Sequence, residues 1–208
     1  MTTLNLKNQT RTAAFQTLTS IRVRTAALKI ARQINGRFLD VGCGNGLFLL
    51  EYYVTDAKKA IAFGLDHDRQ AIYEARTLFK DNNISIEPLL IGDGFNLPFG
   101  DEKFEAVFCL NTFLNFHPFE KIEAFIIEMH RVCKKGGWIV FDYRNSRNPY
   151  LWFRYRLSSL TGRLNVHGHR RKEFQPLMRR LNIKNSEQMA IPSPLPGFPL
   201  GYLNKWEK

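Results

Sequence analysis

The sequence predicts an α/β protein with a doubly wound, mostly parallel sheet and helices on both faces. Three observations predict it. Short apolar runs alternate with helix-period stretches between residues 37 and 143, the order of strand–helix repeats. Acidic residues close several of those runs, at Asp40, Asp66 and Asp93, and open α/β sheets bind ligands at the carboxyl ends of their strands. A glycine turn at Gly42, Gly44 and Gly46 joins the first run to the first helix of the repeat, where alternate glycines let the backbone bend sharply.

The elements follow in order. Leu18, Ile21, Leu28 and Ala31, with Thr25, mark one face of an amphipathic helix that stops near Asn35-Gly36. The first strand is expected at about 37–42 and a helix at about 46–55. The second strand is Ala60-Ile61-Ala62-Phe63-Gly64-Leu65-Asp66. A helix over about 68–81 follows, with Asp68 as its N-cap and Ile72, Ala75 and Phe79 inward. Ile84–Ile86 and Leu89–Ile91 mark a third strand, and Pro88 between them places it at an edge. Phe104–Leu110 is the fourth strand. A helix over about 119–134 turns Ile122, Phe125, Ile126, Met129, Val132 and Cys133 inward, and Gly136-Gly137 stop it. Trp138–Phe141 is the fifth strand. A helix over 173–181, a strand over 183–191, an extended proline segment and a last strand at Tyr202–Trp206 complete the chain.

With 208 residues the chain is read as one domain. Residues 1–36 form a helical cover, 37–143 a ligand-binding core, and 144–208 a basic insertion with the C-terminal strands. No apolar stretch reaches the roughly 20 residues of a spanning helix, and the N-terminus has no apolar leader. Cys43, Cys109 and Cys133 are odd in number and widely spaced, which suggests neither a disulfide framework nor a zinc site. A cytoplasmic setting is expected. The net charge of +11 is uneven: +6 over residues 1–36, −5 over 37–143 and +10 over 144–208. Basic flanks attract phosphates, acidic headgroups or carboxylates, or simply keep the chain soluble.

The glycine turn reads D-x-G-x-G-x-G from Asp40 to Gly46, with Leu47 following. A dinucleotide fingerprint wants G-x-G-x-x-G, and an acid before the first glycine would repel a pyrophosphate. It would attract an amine or a sulfonium. S-adenosylmethionine carries both, and its carboxylate suits the glycine turn and the helix start. Asp66 lies 20 residues past Gly46, the spacing at which an acid accepts hydrogen bonds from ribose hydroxyls. Asp93 can accept from an adenine amino group, or close an Asx-turn.

The chain then resembles the class I S-adenosylmethionine-dependent methyltransferases, in the small-molecule branch often called type 11. The matching stretches are LDVGCGNG at 39–46, GLD at 64–66, GDGFNLPFGDEKFEAV at 92–107 and HRVCKKGGWIVF at 130–141. The resemblance implies a Rossmann-like seven-stranded sheet, with a sixth parallel strand and an antiparallel seventh beside it. It implies that Asp40, Gly42, Gly44 and Gly46 hold the methionine part and Asp66 the ribose. Asp93 and Gly94 would meet the adenine, with His67 nearby. Leu110 and Asn111 would flank the sulfonium, and S-adenosylhomocysteine would be the product. Glu105 stands where relatives often have Asp. The loop Leu114-Asn115-Phe116-His117 lacks the histidine pair many relatives carry, so the acceptor does not carry over.

Between 149 and 157, aromatics interleave with arginines. They could stack on bases or lie at a membrane surface; the preferred reading is a helix whose aromatics pack on the core. His167 and His169 have no evident third metal ligand, so no metal is expected. His117 and Tyr143 stand at carboxyl-end positions as candidate general bases, each also readable as structural. The function expected is methyl transfer to a small-molecule or lipid-like acceptor, acidic or phosphate-bearing, with peripheral membrane contact open. The alternatives are RNA methylation and a non-catalytic cofactor-binding module. No N-P-P-Y-type tetrapeptide follows the fourth strand, which lowers methylation of nucleic-acid amino groups.

Overall fold

The computed structural model describes residues 17–55, 59–160 and 167–208. Seven strands form one sheet: β1 (Gly36–Val41), β2 (Ala60–Asp66), β3 (Leu89–Ile91), β4 (Phe104–Cys109), β5 (Cys133–Arg144), β6 (Asn185–Ile191) and β7 (Gly201–Glu207). Their order across the sheet is β3-β2-β1-β4-β5-β7-β6. The five strands from β3 to β5 are parallel, and β7 runs antiparallel to both of its neighbours. This is the Rossmann-like arrangement expected, with β7 inserted antiparallel between β5 and β6.

Strand alternation splits the core over two faces. Phe38 and Phe108 enter one cluster with Phe48 and Tyr52, whereas Leu39, Val41 and Val107 enter the other with Ile122 and Ile126. Both faces of β1 and β4 are buried, as parallel sheets require. The covering helices are α1 (Leu18–Ala31), α2 (Leu47–Tyr53), α3 (Arg69–Asp81), α4 (Phe119–Val132), α5 (Pro149–Leu160) and α6 (Arg171–Arg180). Asp68 caps α3 by accepting from the N–H groups of Gln70 and Ala71. The inner faces expected of α3 and α4 are buried, but α4 ends at Val132, so Cys133 opens β5 and Gly136-Gly137 lie within that strand rather than stopping the helix.

Three further expectations need correction. On α1, Leu18 and Ile21 are 54% and 41% exposed. Leu28 and Ala31 are buried as expected, and Val23, Ala27 and Arg24 complete that face in place of Leu18 and Ile21, because small side chains let α1 lie close against α2 and the C-terminal strands. Ile84–Ile86 lie outside the sheet: Ile84 N–H donates to Phe79 O at 2.9 Å, which ends α3 in a turn, and only Leu89–Ile91 pair at the edge. On α5, Leu151 is buried but Tyr150, Trp152 and Phe153 point to solvent. Among the described side chains of this helix, Leu151 is the buried one and the large rings lie outside. No helix among the described residues is long and apolar enough to cross a membrane.

Candidate active site

The register of the parallel strands brings their carboxyl ends to one rim. Asp40 pairs with Gly64 and Phe108, and Asp66 with Ile91. The rim encloses a cavity of about 740 Å³ lined by Asp40, Gly42, Gly44, Asp66, His67, Asp93, Gly94, Leu110 and Asn111. That volume is in the range of small-molecule sites. Arg24, Asp68, Thr112 and Asn115 also line it, with an apolar wall of Phe48, Phe95, Phe116 and Phe125.

The glycine turn is fastened to β2. Gly42 and Cys43 N–H groups donate to Leu65 O at 2.7 and 3.1 Å. Gly44 N–H donates to Asp66 Oδ2 at 2.8 Å. Gly42, Gly44 and Gly46 all have positive φ, at 76°, 54° and 74°, the left-handed region that favours glycine. Their neighbours differ. A Cβ on Gly42 would stand 2.6 Å from Thr112 Oγ1, and one on Gly46 would meet Ala75 and Phe79 at 3.1 and 3.3 Å. Gly46 therefore seats α2 against α3 rather than facing the cavity. Gly94 is likewise held to glycine by the Phe125 ring, 2.3 Å from an added Cβ. These amides engage β2, so a bound carboxylate would look elsewhere for positive charge.

Asp40 is buried, and its Oδ1 has no hydrogen-bond partner. Burial, then the nearby charge of Asp66, pushes its carboxyl well above the usual range. Asp66 is buried too, and its Oδ1 accepts from Asp68 N–H at 2.9 Å. The exposed His67 ring lies 3.3 Å from the same oxygen. Asp93 Oδ1 accepts from Phe95 N–H at 2.9 Å, the Asx-turn geometry.

Leu110 and Asn111 close the rim after β4. Asn111 is left-handed, with φ 56°. A buried pair holds it there: Asp142 Oδ1 accepts its N–H, and Arg144 Nη2 donates to its Oδ1 at 2.7 Å. Arg144 also pairs with Asp142 Oδ2, and both are almost wholly buried.

Neither candidate base lines the cavity. Tyr143 is buried under Phe174 and its hydroxyl accepts from Gln188 at 3.1 Å; burial pushes it up to about 12. His117 is exposed and stacks on His167 at 4.4 Å. No cluster of three or more metal-type ligands occurs among the described residues. Sequence reasoning missed Arg24, Thr112 and the Asp142–Arg144 pair. Arg24 was detectable only on the Val23–Ala27 face of α1. Its guanidinium pairs with Glu51 at 3.0 Å while lining the cavity.

The family follows from the match of residues 39–141 to the model described as "Methyltransferase domain". This segment is a class I methyltransferase domain of the type-11 family. A fatty-acid O-methyltransferase of Mycolicibacterium smegmatis is 32% identical over 55% of this chain and 38% of its own. A phosphatidylethanolamine N-methyltransferase of Cereibacter sphaeroides is 34% identical over 58% of this chain and 56% of its own. The chain thus spans less than two thirds of these relatives. The crystal structure of a SAM-dependent methyltransferase from Thermotoga maritima superposes with a TM-score of 0.63 at 19% identity, over 89% of this chain and 91% of that one. At that identity it shows the methyltransferase domain's fold alone.

The residues present fit S-adenosylmethionine. An orphaned buried carboxylate oxygen at Asp40 suits an ammonium. Four aspartates at the cavity, Asp40, Asp66, Asp68 and Asp93, suit a cation, and Arg24 is a cation at the same wall.

Proposed function

We propose that the chain carries an S-adenosylmethionine-dependent methyltransferase acting on a lipid-like acceptor with an acidic group. The observation that carries the reading is Asp40, buried at the cavity with Oδ1 unpartnered. A buried acceptor without a donor costs free energy, and an ammonium ligand removes that cost. Asp40 would hold the amine, Arg24 the carboxylate and Asp66 the ribose hydroxyls. Asp93 and the Gly94 backbone would border the adenine. Leu110 and Asn111 would line the methyl-bearing end.

When bound, S-adenosylmethionine supplies a methyl group made electrophilic by its sulfonium. The chain's part is to align the acceptor and exclude water. The buried Asp142–Arg144 pair fixes Asn111 and so the shape of the rim. The rings of Phe48, Phe95, Phe116 and Phe125 offer an apolar wall to a hydrocarbon chain. A carboxylate acceptor is already deprotonated at neutral pH, so it needs no general base; this agrees with His117 and Tyr143 lying away from the cavity. The relatives named for fatty-acid and phosphatidylethanolamine methylation support a lipid-like acceptor. The +6 and +10 flanks support an acidic one.

The test is transfer of labelled methyl groups into separated lipid, RNA and metabolite fractions. Label in acidic lipids is expected. Label confined to RNA, or to neutral or cationic metabolites, would overturn the acceptor assignment.

A further inference from the structure

Away from the cavity, one region of the surface combines exposed rings with concentrated positive charge. On α5, Tyr150, Trp152 and Phe153 are 45%, 58% and 64% exposed. Leu195 and Phe198, in the loop between β6 and β7, are 41% and 45% exposed. Asn148 joins that loop to the helix. Its Nδ2 donates to Phe198 O at 2.6 Å and to Pro199 O at 3.2 Å, and its Oδ1 accepts from Leu151 N–H at 2.9 Å. The loop and the start of α5 are therefore fastened as one patch.

A basic cleft of about 390 Å³ adjoins it, lined by Arg147, Arg170, Arg171 and Lys172. His169 N–H donates to Arg144 O at 2.7 Å, and Arg170 Nε to Ser146 Oγ at 3.4 Å, which joins the two walls of the cleft. Residues 144–172 hold eight Lys and Arg and no Asp or Glu. One residue, Asn148, separates Arg147 from the first residue of α5, and Asn145, which lines the cleft, donates its Nδ2 to Pro199 O at 3.1 Å, so the cleft is tied to the ring-bearing loop.

We propose that this face docks on a lipid bilayer containing anionic headgroups. Trp and Tyr side chains favour the level of the headgroups, and clustered Lys and Arg are drawn to anionic lipid. Phe153, Phe198 and Leu195 enter the acyl boundary, and the cleft's cations sit over phosphates. The arrangement favours a membrane over single-stranded RNA. Arg156 lies over the Trp152 ring at 5.4 Å, so one stacking face is covered, and Leu195 has no ring to stack on a base. Two residues before His169 of the cleft, His167 N–H donates to Leu114 O at 2.8 Å, next to Asn115 of the cavity wall. Docking goes beyond the proposed reaction and does not require it.

The experiment is co-sedimentation of the full chain with unilamellar vesicles, without S-adenosylmethionine, so that docking is read apart from methyl transfer. Vesicles of phosphatidylcholine alone are compared with vesicles containing phosphatidylglycerol. Binding to the anionic vesicles at least about tenfold above the neutral ones is expected, weakening as salt screens the charge. The pair Trp152→Ala/Phe153→Ala and the pair Arg171→Glu/Lys172→Glu should each lower partitioning about tenfold or more, at an unchanged melting temperature. Acids in the first turn of α6 suit its dipole, so the second pair keeps the fold. Equal binding to both vesicle types, full binding by both variant pairs, or displacement from anionic vesicles by equimolar single-stranded RNA would overturn the proposal.

Discussion

The carboxylate of Asp66 accepts the backbone N–H of Gly44 at 2.8 Å, which ties the glycine turn to the end of β2. Its other oxygen accepts from Asp68 N–H at 2.9 Å. One side chain therefore shapes the turn, starts the approach to α3 and faces the cavity. Asp66→Ala should lower stability by about 1–3 kcal/mol, the range for leaving such donors unpaired. It should also weaken S-adenosylmethionine at least tenfold. Asp66→Asn keeps an acceptor oxygen and should recover more stability than affinity. Thermal melting and calorimetric titration of both variants check the split.

Asp40 gives a prediction with a definite sign. Burial and the charge of Asp66 hold its folded carboxyl well above the ordinary value. The folded chain then keeps a proton that the unfolded chain releases near pH 4. Stability contributed at this site is therefore present at acid pH and falls as pH rises from the unfolded value toward the raised folded one. Asp40→Asn removes that slope. The variant should match the wild type at low pH and melt higher than the wild type near neutrality. Melting curves across pH check it.

Gly94 is held by packing. A Cβ there would lie 2.3 Å from Cε2 of Phe125. Gly94→Ala should destabilise by about 1–3 kcal/mol through overpacking. Adding Phe125→Leu should restore much of the loss by making room. Denaturant unfolding of the single and double variants reads the coupling.

Arg144 and Asp142 are a buried pair, with burial raising the Asp142 carboxyl and Arg144 opposing that rise. Arg144→Ala leaves Asp142 uncompensated and should cost about 3–5 kcal/mol. It also frees Asn111 from its left-handed conformation, so affinity for the cofactor should fall in whatever fraction stays folded. Chemical denaturation and calorimetry check both.

The sequence is most explicit where local chemistry and periodicity agree. The short strand through Phe38-Leu39-Asp40-Val41, the helical stripe from Ile122 to Val132 and the Asp68 cap all lie in the structure as the pattern implies. The acids at strand ends converge on one cavity because parallel register aligns those ends. What is hidden is set by distant partners. Arg24 belongs to the site only because small residues turn that face of α1 inward. Nothing near Asn111 in the chain announces that Asp142 and Arg144, a strand away, hold its backbone N–H and its side-chain oxygen. Trp152 and Phe153 have the composition of core residues, yet they are exposed beside the buried Leu151.

The central claim is that Asp40 receives the ammonium group of S-adenosylmethionine. The most direct measurement is calorimetric titration of the wild type and Asp40→Asn with S-adenosylmethionine at a series of pH values rising from the ordinary carboxylate range. The account predicts wild-type affinity that rises with pH as Asp40 ionises, and a stably folded variant at least tenfold weaker at neutral pH with that rise gone. Equal affinity of the two proteins across the range would contradict it.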